Sequence, residues 1–195
     1  MDMQAEKYGN KDAVVFPEGR YSFQDIANRA QHIAKALLSL GVGPGDRVGY
    51  FLQECIETIA IIIGAAKIGA ITAPINSRFK TTELQQVIVH AGMKVIFTSS
   101  PEIGTDFNGL INETFPQIAE SKSKFLDFPE APELDALITL DHIERQGIFN
   151  LSDIDEMAKT VSDEAVAASQ AGVRVRDTSI IMYTSGTTAM PKGAM

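Results

Sequence analysis

The sequence predicts an α/β fold with a mixed to mainly parallel sheet and flanking helices, and three observations carry that reading. Short apolar runs at 48–52, 71–75 and 95–98 alternate with longer segments whose apolar residues recur at helical spacing. The helical segments end at Gly41, Gly69 and Gly92, residues suited to the left-handed position that closes a helix. Strands separated by helices of ten or more residues need crossover connections, and crossovers make parallel pairs.

Taken in order, residues 14–16 form a short apolar run, and Gly19 supplies the turn before Tyr21. Ser22 then reads as an N-cap, with Asp25 three residues on completing a capping box. Ile26, Ala30, Ile33, Ala34 and Leu37 make one face of the first long helix. Gly43, Pro44 and Gly45 turn the chain tightly into the 48–52 strand. A second helix is expected over about 54–67, and its apolar positions nearly encircle it, so it should be buried on more than one side. Extended structure resumes at 71–75, up to the break at Pro74. Thr81 or Thr82 is expected to cap a third helix, with Leu84, Val87, Ile88 and Ala91 on its inner face.

Residues 100–177 are less regular. Phe107, Leu110, Ile111 and Phe115 suggest a helix, 134–140 a strand and 162–171 a short helix. The acidity of the chain is concentrated here, with 16 acidic against 6 basic side chains, whereas residues 1–99 carry 9 and 10. Such a charge run reads as a solvated face. The chain therefore divides into a regular α/β part at 1–99, an acidic segment at 100–177, and a strand with a loop at 178–195.

Composition excludes several classes. With 195 residues, 45% hydrophobic and 22% charged, and a mean hydropathy of +0.02, the chain is neither disordered nor fibrous. A net charge of −8, without two consecutive Lys or Arg anywhere, argues against nucleic-acid binding. The most apolar stretch, 58–73, is too short to span a bilayer and is interrupted by Gly64, Lys67 and Gly69. Met1 opens onto Asp2, Glu6 and Lys7 with no apolar leader, so the expected location is cytoplasmic. The single cysteine, Cys55, is expected to be a buried, inert thiol in a helical stretch. His32, His90 and His142 stand at unrelated spacings and are expected to be structural.

The chemistry gathers at the far end. Ile180, Ile181 and Met182 read as a strand covered on both faces. They lead into Tyr183, Thr184, Ser185, Gly186, Thr187, Thr188, Ala189, Met190, Pro191, Lys192 and Gly193. A loop rich in hydroxyls and glycines beside one lysine can turn several N–H donors toward an anion, with the ammonium as counter-charge. The P-loop of nucleotide hydrolases is a poor match. Counting from Gly186, Pro191 stands where its second glycine belongs, and Gly193 where its magnesium-binding hydroxyl belongs.

The string instead resembles the phosphate-binding signature of the adenylate-forming superfamily, the acyl-CoA synthetases and their relatives, departing at Ala189 where the family has glycine. Residues 21–26, 40–48 and 66–76 are similar to other core motifs of that family. The resemblance implies the N-terminal subdomain of the family's large domain, and an AMP-forming carboxylate-CoA ligase for fatty or other apolar acids. It implies ATP, magnesium and coenzyme A as cofactors, and a small carboxylic acid as substrate. Ser185, Gly186, Thr187, Thr188 and Lys192 would then hold the β and γ phosphates, and Thr184 would bind the nucleotide beside magnesium. No catalytic residue is assigned. The family's downstream histidine, acyl pocket and C-terminal lysine do not occur in these residues, so the chain is expected to be catalytically incomplete alone. Two alternatives stay open: a truncated or split-enzyme piece acting through association, and part of an adenylation domain that loads a carrier protein. Without the later strands that the resemblance implies would cover it, the sheet near residues 180–182 is expected to be left bare and to favour self-association.

Overall fold

The computed structural model describes residues 1–184 and 191–195. At its centre lie four parallel strands in the order β4-β3-β5-β6: β3 (Arg47–Phe51), β4 (Ile71–Pro74), β5 (Met93–Thr98) and β6 (Ala136–Thr139). A hairpin of β1 (Asp12–Phe16) and β2 (Gly19–Ser22) precedes them, after the short helix α1 (Asp2–Tyr8). Every strand of the central sheet is reached through helical crossovers, as the spacing predicts: α3 (Ile56–Lys67) joins β3 to β4, and α4 (Thr81–Ala91) joins β4 to β5. The α5 (Phe107–Thr114) and α6 (Gln117–Glu120) helices lie on the way to β6.

The sheet is buried on both faces, which is why its strands read as unbroken apolar runs rather than alternating ones. Along β5, Val95 and Phe97 point into one core with α2 (Phe23–Ser39), α3, α7 (Leu151–Lys159) and α8 (Asp163–Gly172). Met93 and Ile96 point into the other, with Leu84, Val87 and Ile88 of α4 and Ile111 of α5. Between Val95, Ile96 and Phe97 this alternation is the pleat itself. The α2 and α3 helices approach so closely that a Cβ on Gly64 would stand 2.8 Å from the Ala30 carbonyl oxygen.

Ser22 caps α2 as predicted. Its hydroxyl accepts from the Asp25 N–H at 3.1 Å, and the Asp25 carboxylate accepts from the Ser22 N–H at 2.9 Å. Ser22→Ala should therefore cost about 1 kcal/mol, read as a lower urea midpoint with an unchanged m-value. An unchanged midpoint would show that the cap contributes nothing.

Several expectations are corrected. Neither threonine caps α4: Thr81 is its first helical residue, and Lys80 holds the cap position, its N–H donating to the Glu83 carboxylate at 3.1 Å. A capping side chain comes from the residue just before the helix, in extended geometry, and here that residue is Lys80, while Thr81 is already helical. Cys55 is the half-buried N-cap residue of α3 rather than a buried residue within it. Burial still pushes its thiol pKa up, against hydrogen bonds from Thr58, so the inert form is favoured. Residues 180–182 are not covered on both faces. Ile180 makes a single parallel bridge to Thr72, and Met182 is 50% exposed, because among the described residues no further sheet strand lies beyond them. The sequence reading also missed α1, α6 and α7. For α7 a signal was present: Asn150 and Asp153 form a reciprocal capping box ahead of buried Ile154 and Ala158.

Candidate functional site

The segment bearing the signature string is tied to the sheet edge at β4. The Thr72 N–H and hydroxyl both donate to the Ser179 carbonyl, at 2.9 and 3.0 Å, and the Ile181 N–H donates to the Thr72 carbonyl at 2.8 Å. The chain then forms an antiparallel hairpin of β7 (Met182–Thr184) and β8 (Lys192–Ala194), pairing Met182 with Ala194, Tyr183 with Gly193 and Thr184 with Lys192. The two ends of the string are thereby brought face to face. Thr184 and Lys192 are both exposed, and Pro191 beside them is buried. Ser185, Gly186, Thr187 and Thr188, also predicted to hold phosphate, lie outside the described residues, as does Ala189.

A hydroxyl directly across from an ammonium suits an anion with several oxygens, since the hydroxyl donates one hydrogen bond and Lys192 adds charge. Magnesium requires oxygen ligands, usually carboxylates together with substrate phosphates. Among the described residues no group of three or more His, Cys, Asp or Glu is gathered to hold a metal.

The three histidines are paired as structural residues would be. His32 Nε2 lies 2.9 Å from Asp155, and His142 Nδ1 lies 3.0 Å from the Ser152 hydroxyl. His90 differs in its location. Its Nδ1 lies 2.8 Å from the Tyr183 hydroxyl, joining α4 to the strand that enters the string. Burial raises the Tyr183 pKa, with Arg47 opposing, so the phenol stays protonated at neutral pH.

A second concave region lies where the strand order reverses, outside the carboxyl ends of β3 and β5, the usual place for ligands on an open parallel sheet. This crevice, of about 430 Å³, is lined by Glu18, Glu54 and Glu57 with Gln53, Cys55 and Thr105, and among the described residues no Lys or Arg borders it. Of these acids Glu57 is paired with Arg29 at 2.7 Å, and among the described residues Glu18 and Glu54 have no such partner, so the crevice is acidic and suits a phosphate poorly.

Beside it, the ends of β5 and β6 carry a polar cluster that sequence reasoning did not find. Asp141 is buried, and its carboxylate accepts from the Ser100 and Thr139 hydroxyls, the Ile143 N–H at 2.7 Å and Arg145 at 2.7 and 2.9 Å. Arg145 continues to Glu102 at 2.8 Å. Burial pushes the Asp141 pKa up, but these donors together outweigh it and hold the carboxyl below its ordinary value. Asp141 is thus an exception to the solvated face expected of the acidic segment.

A parallel α/β sheet with helices on both sides is a fold that this chain shares with solved CoA ligases. The anthranilate CoA ligase AuaEII, solved with anthranoyl-AMP, shares the fold at a TM-score of 0.78 and 22% identity, over 98% of this chain and 32% of that one. The long-chain-fatty-acid-CoA ligase FadD1 of Archaeoglobus fulgidus does so at 0.69 and 21%, over 100% of this chain and 34% of that one. The chain belongs to the AMP-binding enzyme family, whose model matches residues 1–195. It is 28% identical to YngI of Bacillus subtilis, which carries an acyl-CoA synthetase name, over 100% of the chain and 36% of the relative. It is 25% identical to the acyl-CoA ligase sidI of Aspergillus fumigatus, over 100% of the chain and 32% of the relative. The chain spans about a third of the length of these curated relatives. Among the described residues no helix is long and apolar enough to cross a membrane.

Proposed function

We propose that this chain supplies the triphosphate-gripping part of an ATP-dependent, AMP-forming carboxylate-CoA ligase. In that reaction a carboxylate oxygen attacks the α-phosphorus of ATP, the bond to the β-phosphate breaks, and pyrophosphate leaves. A thiol, coenzyme A, then attacks the acyl carbon and AMP departs with the bonding electron pair. The observation that carries the reading is the hairpin register, which sets Thr184 opposite Lys192 at the two ends of a hydroxyl-rich and glycine-rich string. The names of the relatives, acyl-CoA synthetase and ligase, support coenzyme A as acceptor and a small carboxylic acid as substrate.

In this reading Ser185, Gly186, Thr187, Thr188 and Lys192 hold the β and γ phosphates, and Thr184 binds beside magnesium. The ion, when bound, neutralises charge on the phosphate oxygens. Lys192 offsets the charge that builds on the leaving pyrophosphate, and the fixed hairpin holds its ammonium in place before reaction. We assign residues 1–99, 100–177 and 178–195 to one nucleotide-binding unit that works in the reducing cytoplasm, a location that the single cysteine supports.

Lys192→Ala tests this. Charge-assisted hydrogen bonds contribute roughly 1.5–3 kcal/mol, so ATP or pyrophosphate affinity should fall roughly tenfold or more. Because the isolated chain should bind ATP more weakly than about 1 mM, the titration is followed by amide shifts. Equal shifts in wild type and variant would sink the reading. The chain alone should release no pyrophosphate with ATP and a fatty acid, and turnover would overturn its catalytic incompleteness. The exposed edge at Met182 should also drive association; light scattering showing a monomer at high concentration would count against that.

A further inference from the structure

The hairpin is held at one further point, which the nucleotide reading does not use. Beyond the bonds of Thr72 to Ser179 and Ile181, the next fixed point along the strand is Tyr183, whose hydroxyl meets His90 Nδ1 at 2.8 Å. The two rings stand edge to face, with centroids 5.9 Å apart at 88°. Across the hairpin, Tyr183 lies against Gly193: a Cβ there would sit 3.2 Å from the ring carbon that bears the hydroxyl. One side chain therefore touches both strands of the hairpin and the last turn of α4.

His90 is itself presented by a rigid frame. It is the penultimate residue of α4, and the carbonyl of Ala91, the last one, accepts from Arg47 Nε at 2.7 Å. Arg47 also donates to the Gly45 carbonyl at 3.1 Å, so the end of α4 is fixed to the start of β3. With its proton on Nε2, the neutral imidazole presents a lone pair at Nδ1, and the phenol donates to it.

We propose that His90 is a positioning residue for the phosphate-gripping hairpin: by holding the Tyr183 hydroxyl it fixes the separation of Thr184 and Lys192, the next residue on one strand and the facing residue on the other. The inference rests on the nucleotide reading above, and it assigns a role to a histidine that otherwise reads as structural. A small displacement of either group weakens binding sharply, because the triphosphate needs the hydroxyl and the ammonium in place at the same time.

The test uses His90→Ala, Tyr183→Phe, the double variant and His90→Gln in the purified chain. Two readouts are followed: amide hydrogen exchange at residues 182–184 and 192–194, and ATP titration by amide shifts. Each single variant should speed exchange at those amides and weaken ATP binding by roughly two- to tenfold, the range that one net hydrogen bond converts to. The double variant should do no more than either single one, because both remove the same bond. Glutamine restores an acceptor, so His90→Gln should sit nearer wild type, and the urea midpoint of all four should move little. Unchanged exchange in the single variants, or additive effects in the double one, overturns the proposal. A wild-type chain that ignores ATP while exchange still responds to His90→Ala overturns the nucleotide reading and leaves the anchor standing; the reverse pattern overturns the anchor alone.

Discussion

Asp141→Ala is expected to lower the free energy of unfolding by about 2–3 kcal/mol at neutral pH. Its side chain is only 5% exposed, and its removal strands the Ser100 and Thr139 hydroxyls, the Ile143 N–H and part of the Arg145 guanidinium. Donors left buried without an acceptor cost more than the bonds themselves contribute. The loss is moderated because Arg145 keeps Glu102 and is itself 20% exposed. The pH dependence follows from the lowered pKa. The folded carboxyl titrates below the ordinary value of 3.8, so its stabilisation is fully present above that value and is lost as pH falls through the folded pKa. The urea midpoints of wild type and Asp141→Ala should thus differ most at pH 7 and converge at acid pH. A constant difference across that range would show that the charge is irrelevant and that the loss is one of packing.

Gly64→Val is the second large effect, with an expected cost of about 2–3 kcal/mol. A Cβ on residue 64 would meet the Ala30 carbonyl oxygen at 2.8 Å and Ile33 Cγ2 at 2.9 Å. The oxygen is backbone within α2, so only a shift of one helix against the other relieves the clash. Gly64→Ala is the graded control: the same clash is partly offset by the roughly 1 kcal/mol that alanine gains over glycine within a helix. Thermal midpoints ordered wild type, Ala, Val from high to low are expected. A neutral or stabilising Gly64→Ala would mean that α2 and α3 do not approach this closely.

How much of this is legible in the sequence depends on the range of the interaction. The Ser22 and Asp25 cap, the glycines closing the helices and the apolar runs of β3 to β6 are local patterns, and each lies where the sequence places it. The failures have equally specific origins. At Thr81 two hydroxyl residues offered a reasonable cap, but Thr81 is already helical and the cap position falls on Lys80. At residues 180–182 three apolar residues implied a covered strand, yet their burial depends on what lies beside them rather than on their own character.

Of the candidate site, the string from Tyr183 to Gly193 is evident from its residue types alone, because it is one continuous piece of chain. The partner of Tyr183 is not. His90 stands 93 residues earlier, and nothing in its own neighbourhood marks it. The Asp141 cluster is similar, drawing Ser100, Thr139 and Arg145 from the ends of two strands and a connection.

Local composition and spacing were therefore enough to establish the fold class and the alternation of strands and helices, and the string at 183–193 carried the resemblance to the family. They could not say which face each strand residue serves, that Gly64 must be bare, that one acid of an acidic segment is buried, or that His90 reaches the hairpin. Those properties belong to pairs of residues distant in the chain, and a pair has no address until the sheet order β4-β3-β5-β6 brings its members together.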